Sequence, residues 1–190
     1  MFINEKILIG LMKKAYQATG LYMGCYDGWY HLSGVLWQAR ILKEEITKPI
    51  LSAMVACAGE LPREGEGWVA DKEKNQYSAF SQWEEPQGDQ LMERTPVIVQ
   101  AVGGSPLRVM QLPNDGVMLF YEKLVSAIDH MSVNRERGEG HISGPYYDGR
   151  RGMWASTNHA VFKCCSGQWK RLDGICAILG SGPLHFDEDD

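Results

Sequence analysis

The sequence is poor in the features that most directly reveal a function. It has no apolar run near the about 20 residues that a membrane-spanning helix needs; its best candidate, residues 50–58, is far shorter. Residues 1–16 set Glu5, Lys6, Lys13 and Lys14 among their apolar side chains and offer no small-residue cleavage site, so they are expected to be folded structure and not a leader. Cysteines number five, an odd count with one vicinal pair, Cys164-Cys165, and no CxxC. That argues against a disulfide framework and for reduced thiols in a cytoplasmic setting.

Catalytic signatures are missing too. Cys25, His31, His159, Cys164 and Cys165 match no zinc-finger or ribbon spacing, so they read as buried thiols and half-buried imidazoles, and no metal or other cofactor is expected. Neither Gly138-Glu139-Gly140 nor Gly180-Ser181-Gly182 follows a strand and opens a helix, as a phosphate cradle requires. No nucleophile signature surrounds any cysteine. The consecutive acids 187–190 cannot converge on two metal ions and read as a solubilising tail. The reading favours a non-catalytic protein.

What the chain does contain is an internal match. Slid along itself by 121 residues, it sets Tyr26-Asp27-Gly28 on Tyr147-Asp148-Gly149, Ala39 on Ala160, Leu51 on Leu172, Ala56 on Ala177, Gly59 on Gly180 and Pro62 on Pro183. Upstream the register changes by four residues, and residues 2–8 lie against 119–125. Each copy reads the same way. A short apolar strand leads into a helix, with Asn4 as N-cap and Ile7, Leu8, Leu11, Met12 and Ala15 on one stripe, echoed by Leu124, Val125 and Ile128. An Asp-Gly hairpin follows, because two positive φ angles suit these residues. A second helix starts at Thr47 and Pro49, buries Ile50, Leu51, Met54 and Val55, and stops at Gly59; residues 172–179 repeat it.

The expected fold is α+β: two diverged β-α-β-β-α repeats in a pseudo-twofold relation, joined by an antiparallel β-rich middle section. The divisions are 1–62, an acidic middle section 63–117, 118–186, and the tail 187–190, together one compact domain. Helix-and-strand units used twice are similar, in topology only, to those of sliding-clamp proteins. The chain is shorter than a clamp protomer, its units end in a helix that the clamp unit does not place there, and the similarity carries no functional residue across.

Charge is segregated. Residues 60–95 hold nine acidic and four basic side chains, whereas residues 1–59 hold four and six. One reading makes the middle section a solvated face. The sharper one makes it a partner surface, in the manner of a nucleic-acid mimic: Glu64, Glu66, Asp71, Glu73, Glu84, Glu85, Asp89 and Glu93 supply charge, and Trp68, Tyr77 and Trp83 supply contact anchors. The expected partner is then a protein with a basic surface, such as a nucleic-acid-handling enzyme. Small acidic phage or mobile-element proteins that inhibit host defence nucleases, of the anti-CRISPR type, work this way as a class. An alternative is nucleic-acid binding through Arg135, Arg137, His141, Arg150 and Arg151, interleaved with Tyr146, Tyr147 and Trp154. Salt bridges from Arg135 and Arg137 to Glu136, Glu139 or the acidic middle section are the plainer use of those cations. A third alternative is a hydrolase or nuclease site at the repeat interface, built on His31 and His159.

Overall fold

A computed structural model describes residues 2–73, 76–79, 83–100, 104–129, 142–150 and 152–166. Helix α1 (Glu5–Ala18) starts where the Asn4 side chain accepts the Ile7 N–H at 3.1 Å, and its buried residues are Leu8, Leu11, Met12 and Ala15. Strands β1 (Leu21–Tyr26) and β2 (Trp29–Ser33) meet at a two-residue turn in which Asp27 and Gly28 have φ of 52° and 77°, the paired positive values that this turn demands. Strand β3 (Trp37–Leu42) pairs with β2 after a turn at Gly34. Helix α2 (Lys48–Ala58) begins after Thr47, whose hydroxyl bonds the Glu5 carboxylate of α1, and ends at Gly59 with φ 85°. Its buried residues are Ile50, Ala53 and Met54. Val55, expected on that face, is 40% exposed, because the stripe at i, i+3 and i+4 turns it outward.

Next come β4 (Glu66–Ala70), β5 (Gln76–Ser78), β6 (Gln90–Leu91), β7 (Glu93–Gln100), β8 (Pro106–Gln111), β9 (Val117–Tyr121), the one-turn helix α3 (Glu122–Val125), β10 (Ser143–Tyr147), β11 (Gly152–Thr157) and β12 (Ala160–Cys165). Of the expected strand at residues 77–83, Tyr77 and Ser78 lie in β5, and residues 80–82 lie outside the described residues. The second Asp-Gly is not a two-residue turn either. Tyr147 lies opposite Met153, and the Asp148 carboxylate accepts the N–H groups of Arg150 and Gly152, closing a longer loop. The expected second helix at 172–179, the loop residues 134–141 and the tail 187–190 lie outside the described residues.

Among the described residues there are two sheets, both antiparallel. One has nine strands in the order β5-β4-β1-β2-β3-β12-β11-β10-β6, and the other has three, β7-β8-β9. At the middle of the large sheet β3 pairs with β12, with Arg40 opposite Val161. Period-two alternation gives that sheet two distinct faces. Leu21, Met23, Tyr30, Leu32, Trp37, Ala39, Ile41, Phe162 and Ala155 share one buried cluster with the apolar stripes of α1 and α2. The opposite alternation carries Tyr22, Trp29, His31, Arg40, Lys163 and Trp154. The small sheet buries Leu107, Val109 and Leu119, while Arg108 makes a bidentate pair with Glu122 at 2.6 and 2.7 Å and donates to the Thr95 carbonyl at 2.9 Å.

Candidate functional site

The polar face of the nine-stranded sheet is crossed by a strap, residues 83–89. Trp83 anchors it. The Lys163 ammonium lies 4.4 Å and the Arg40 guanidinium 5.7 Å from its ring centroid, and the His31 ring meets it edge-on at 5.6 Å. Arg40 also lies 4.5 Å from the Trp29 ring and pairs with Glu85 at 2.5 Å. Further along, Lys163 donates to the Glu84 carbonyl at 2.8 Å and the Trp154 indole N–H to the Gln87 carbonyl at 3.2 Å. The chain then joins the sheet as β6, pairing Leu91 with Tyr146 of β10. These tethers hold the strap across β2, β3, β12 and β11.

The layer has an inside and an outside. Arg40 is 18% exposed at its side chain, whereas its partner Glu85 is 69% exposed; Glu84 and Asp89 are exposed as well. The cations therefore sit between strap and sheet and the carboxylates sit outward. Burial lowers the Lys163 pKa, against the opposing pull of Glu84 and Glu85. His31 is 7% exposed, its Nε2 has no hydrogen-bond partner among the described residues, and its pKa is pushed down to about 4, first by burial and then by the Arg40 charge.

Beneath the strap lies a cavity of about 700 Å³ whose lining includes Trp83, Glu84, Asp148, Arg150, Trp154 and Lys163. Cys164 and Cys165 also border it. Their pKa values are raised, with burial the first cause, so these thiols are held protonated.

Of the acids singled out by sequence, Glu84, Glu85 and Asp89 share the strap. Glu64 sits by the first hairpin, accepting the Gly28 N–H at 3.4 Å and the Cys25 thiol at 3.5 Å. Glu66 accepts the Arg63 N–H at 2.9 Å, Asp71 accepts the Glu73 N–H at 2.9 Å, and Glu93 opens the edge strand of the small sheet. Glu64, from beside the first hairpin, and Glu85, from the strap, both act on the His31 charge. Trp68 is 7% exposed in the core cluster, so its ring supports β4 from within and is no outward anchor. The Tyr77 side chain and Arg135, Arg137, His141 and Arg151 lie outside the described residues; Arg150 is at the second hairpin. His31 is covered by Trp83, while His159 is exposed in the turn between β11 and β12, 4.0 Å from the Glu45 carboxylate. No group of three or more His, Cys, Asp or Glu poised to hold a metal occurs among the described residues. Sequence reasoning missed Arg40 and Lys163; the available signal was a lone cation alternating with apolar residues in each of two strands.

No family model matches the chain, and no curated protein is similar to it in sequence. Solved structures with a similar chain path include the beta subunit of DNA polymerase from Streptococcus pyogenes, at a TM-score of 0.36 and 9% identity over 90% of this chain. Another is a DnaN sliding clamp, DNA polymerase III subunit beta, from Bartonella birtlesii bound to griselimycin, at 0.37 and 10% over 91%. The chain spans 66% of the length of each. The likeness is slight. Among the described residues no helix is long and apolar enough to cross a membrane.

Proposed function

We propose that this protein is a non-catalytic binding protein whose acidic strap engages a basic surface on a nucleic-acid-handling partner, acting as a phage or mobile-element inhibitor of a defence nuclease acts. The observation that carries this reading is the polarity of the strap. Glu84, Glu85 and Asp89 face outward on a backbone tethered by Arg40, Lys163 and Trp154, while the matching cations are turned inward. A fixed row of carboxylates needs little ordering on binding and repels nucleic acid, two properties expected of a mimic.

The test is cleavage of labelled duplex DNA by an RNA-guided nuclease with increasing amounts of this protein. Inhibition that weakens with salt and is lost in Glu84→Lys/Asp89→Lys, a variant that leaves the Glu85–Arg40 tether in place, supports the reading. Unchanged inhibition by that variant, or no effect on any of a panel of basic nucleic-acid enzymes, refutes it.

We further infer that the two halves are diverged copies related by a pseudo-twofold at the centre of the large sheet. The 121-residue offset equates Arg40 with Val161, and these residues face each other across β3 and β12. Homologous sequences test this: residues 26–62 and 147–183 must match at the same offset better than shuffled segments do.

A further inference from the structure

The seam between strap and sheet is polar and poorly satisfied. Three buried side-chain nitrogens along it, His31 Nε2, Arg40 Nε and Trp83 Nε1, have no hydrogen-bond partner among the described residues. Each would gain one from water if the strap lifted, which offsets part of the cost of lifting it. From Gly88 onward the strap is firmly held. Gly88 packs so closely on the Tyr147 carbonyl that a Cβ would collide with it, β6 pairs with β10, and the Met92 N–H donates to the Pro145 carbonyl at 2.8 Å. Before Gly88 the tethers are side-chain contacts: Arg40 with Glu85, Lys163 with the Glu84 carbonyl, Trp154 with the Gln87 carbonyl, and the rings around Trp83. The part able to lift is therefore residues 83–87.

His31 is the group at this seam whose charge can change below neutral pH. Trp83 covers it from the strap and Tyr26 from β1, edge-on at 5.6 and 5.7 Å. Arg40 lies opposite it on β3, and Asp27 of the first turn, Glu64 before β4 and Glu85 of the strap also act on its charge. The three carboxylates favour the imidazolium, but burial and Arg40 outweigh them. A protonated ring has two donor nitrogens, and Nε2 has no partner while Trp83 is in place. Lifting Trp83 admits water to it. We propose that residues 83–87 form an acid-released latch, in which proton uptake by His31 drives Trp83 off the sheet. With its ring in water the open form takes up the proton near 6.5, and the closed form only near 4, so opening is favoured as the pH falls between them and is unchanged above. Each pKa unit is a factor of ten, so opening becomes up to about 300-fold more frequent.

The test is hydrogen exchange of the Trp83 indole N–H in the full chain, followed by NMR at pH 8 and pH 4.5 and corrected for intrinsic rates. The amides of Met23 and Leu32, in the middle of the sheet, are the reference. The indole is expected to open more often than the reference amides at both pH values, and about 50–100-fold more often at pH 4.5 than at pH 8. His31→Phe should remove that rise; His31→Gln, equally unable to take up a proton, repeats the comparison if the first variant folds poorly. An indole that exchanges no faster than Met23 and Leu32 would show that the strap opens only with the whole sheet, and would overturn the proposal. So would a rise that is absent from the wild type or that survives without His31. The latch rests on the seam and not on the partner proposed for the strap, so the two readings fail separately.

Discussion

Acidification should weaken this fold through His31, starting near neutral pH. The imidazole is enclosed by Trp83 and Tyr26, with ring centroids at 5.6 and 5.7 Å, and the Arg40 charge lies close by. In an unfolded chain it takes up a proton near 6.5, but in the folded protein only near 4. Between those values the unfolded state binds more protons, so stability falls as the pH falls. Above 6.5 neither state is protonated and His31 adds no slope. The gap corresponds to about 3 kcal/mol lost by the time the pH reaches the folded value. Because the ring is nearly buried, little of this is screened by solvent. The assay is urea unfolding at a series of pH values, comparing wild type with His31→Phe, which keeps a ring against Trp83 and has no proton to gain. The wild type should lose about 3 kcal/mol relative to the variant across this window. Parallel stability curves for the two proteins, or a His31 resonance titrating near the ordinary value, would refute the account.

Three further outcomes follow from named contacts. Glu122→Gln should cost about 3 kcal/mol, because it leaves the Arg108 guanidinium partly buried and without its carboxylate; a denaturation midpoint equal to wild type would contradict this. Burial raises the Glu122 carboxyl, but Arg108, Ser126 and Arg94 outweigh it and hold its pKa below 4.5. The pair's contribution is therefore intact above that value and disappears as the pH falls through the lower folded one, overlapping the acid end of the His31 window. Trp83→Ala should free the strap while sparing most of the core, seen as faster cleavage after Glu84 by a glutamate-specific protease with a smaller change in melting temperature; unchanged cleavage would show that the other tethers suffice.

Gly67→Ala should cost about 1–3 kcal/mol, since a Cβ there would meet the Tyr26 and Tyr22 hydroxyls at 2.5 and 2.6 Å and the Ala79 carbonyl at 2.9 Å. Wild-type melting would show that both tyrosines can move aside.

Local signals in this sequence translate directly into structure, and distant ones do not. Asn4 caps α1, Asp27-Gly28 turns the first hairpin and Gly59 stops α2, because each depends on a few adjacent φ and ψ angles and one side chain. The second Asp-Gly has the same letters but a different turn, since the Asp148 carboxylate binds backbone N–H groups four residues ahead as well as two. Within the acidic section, Trp68 and Trp83 look alike as letters. One falls on the inward alternation of β4 and the other stands between Lys163 and Arg40, a difference decided by partners 43 and 80 residues away in the chain. The strap was therefore illegible: its charge could be counted, but not the inward turn of its counter-ions.

The junction of β3 with β12 has a consequence for how the molecule is made. Every strand pair on either side of it joins nearer parts of the chain or extends an edge, whereas this one brings residue 40 to residue 161. During synthesis β1, β2 and β3 can pair soon after they emerge, but β3 must then wait with an open row of backbone groups until residues 160–165 arrive. That waiting edge carries Trp37, Ala39 and Ile41, and it is the place where a stalled or truncated chain would find another copy of itself. Closing the longest loop last makes assembly slow relative to the hairpins, and it makes the middle of the finished sheet the last part of it to become safe.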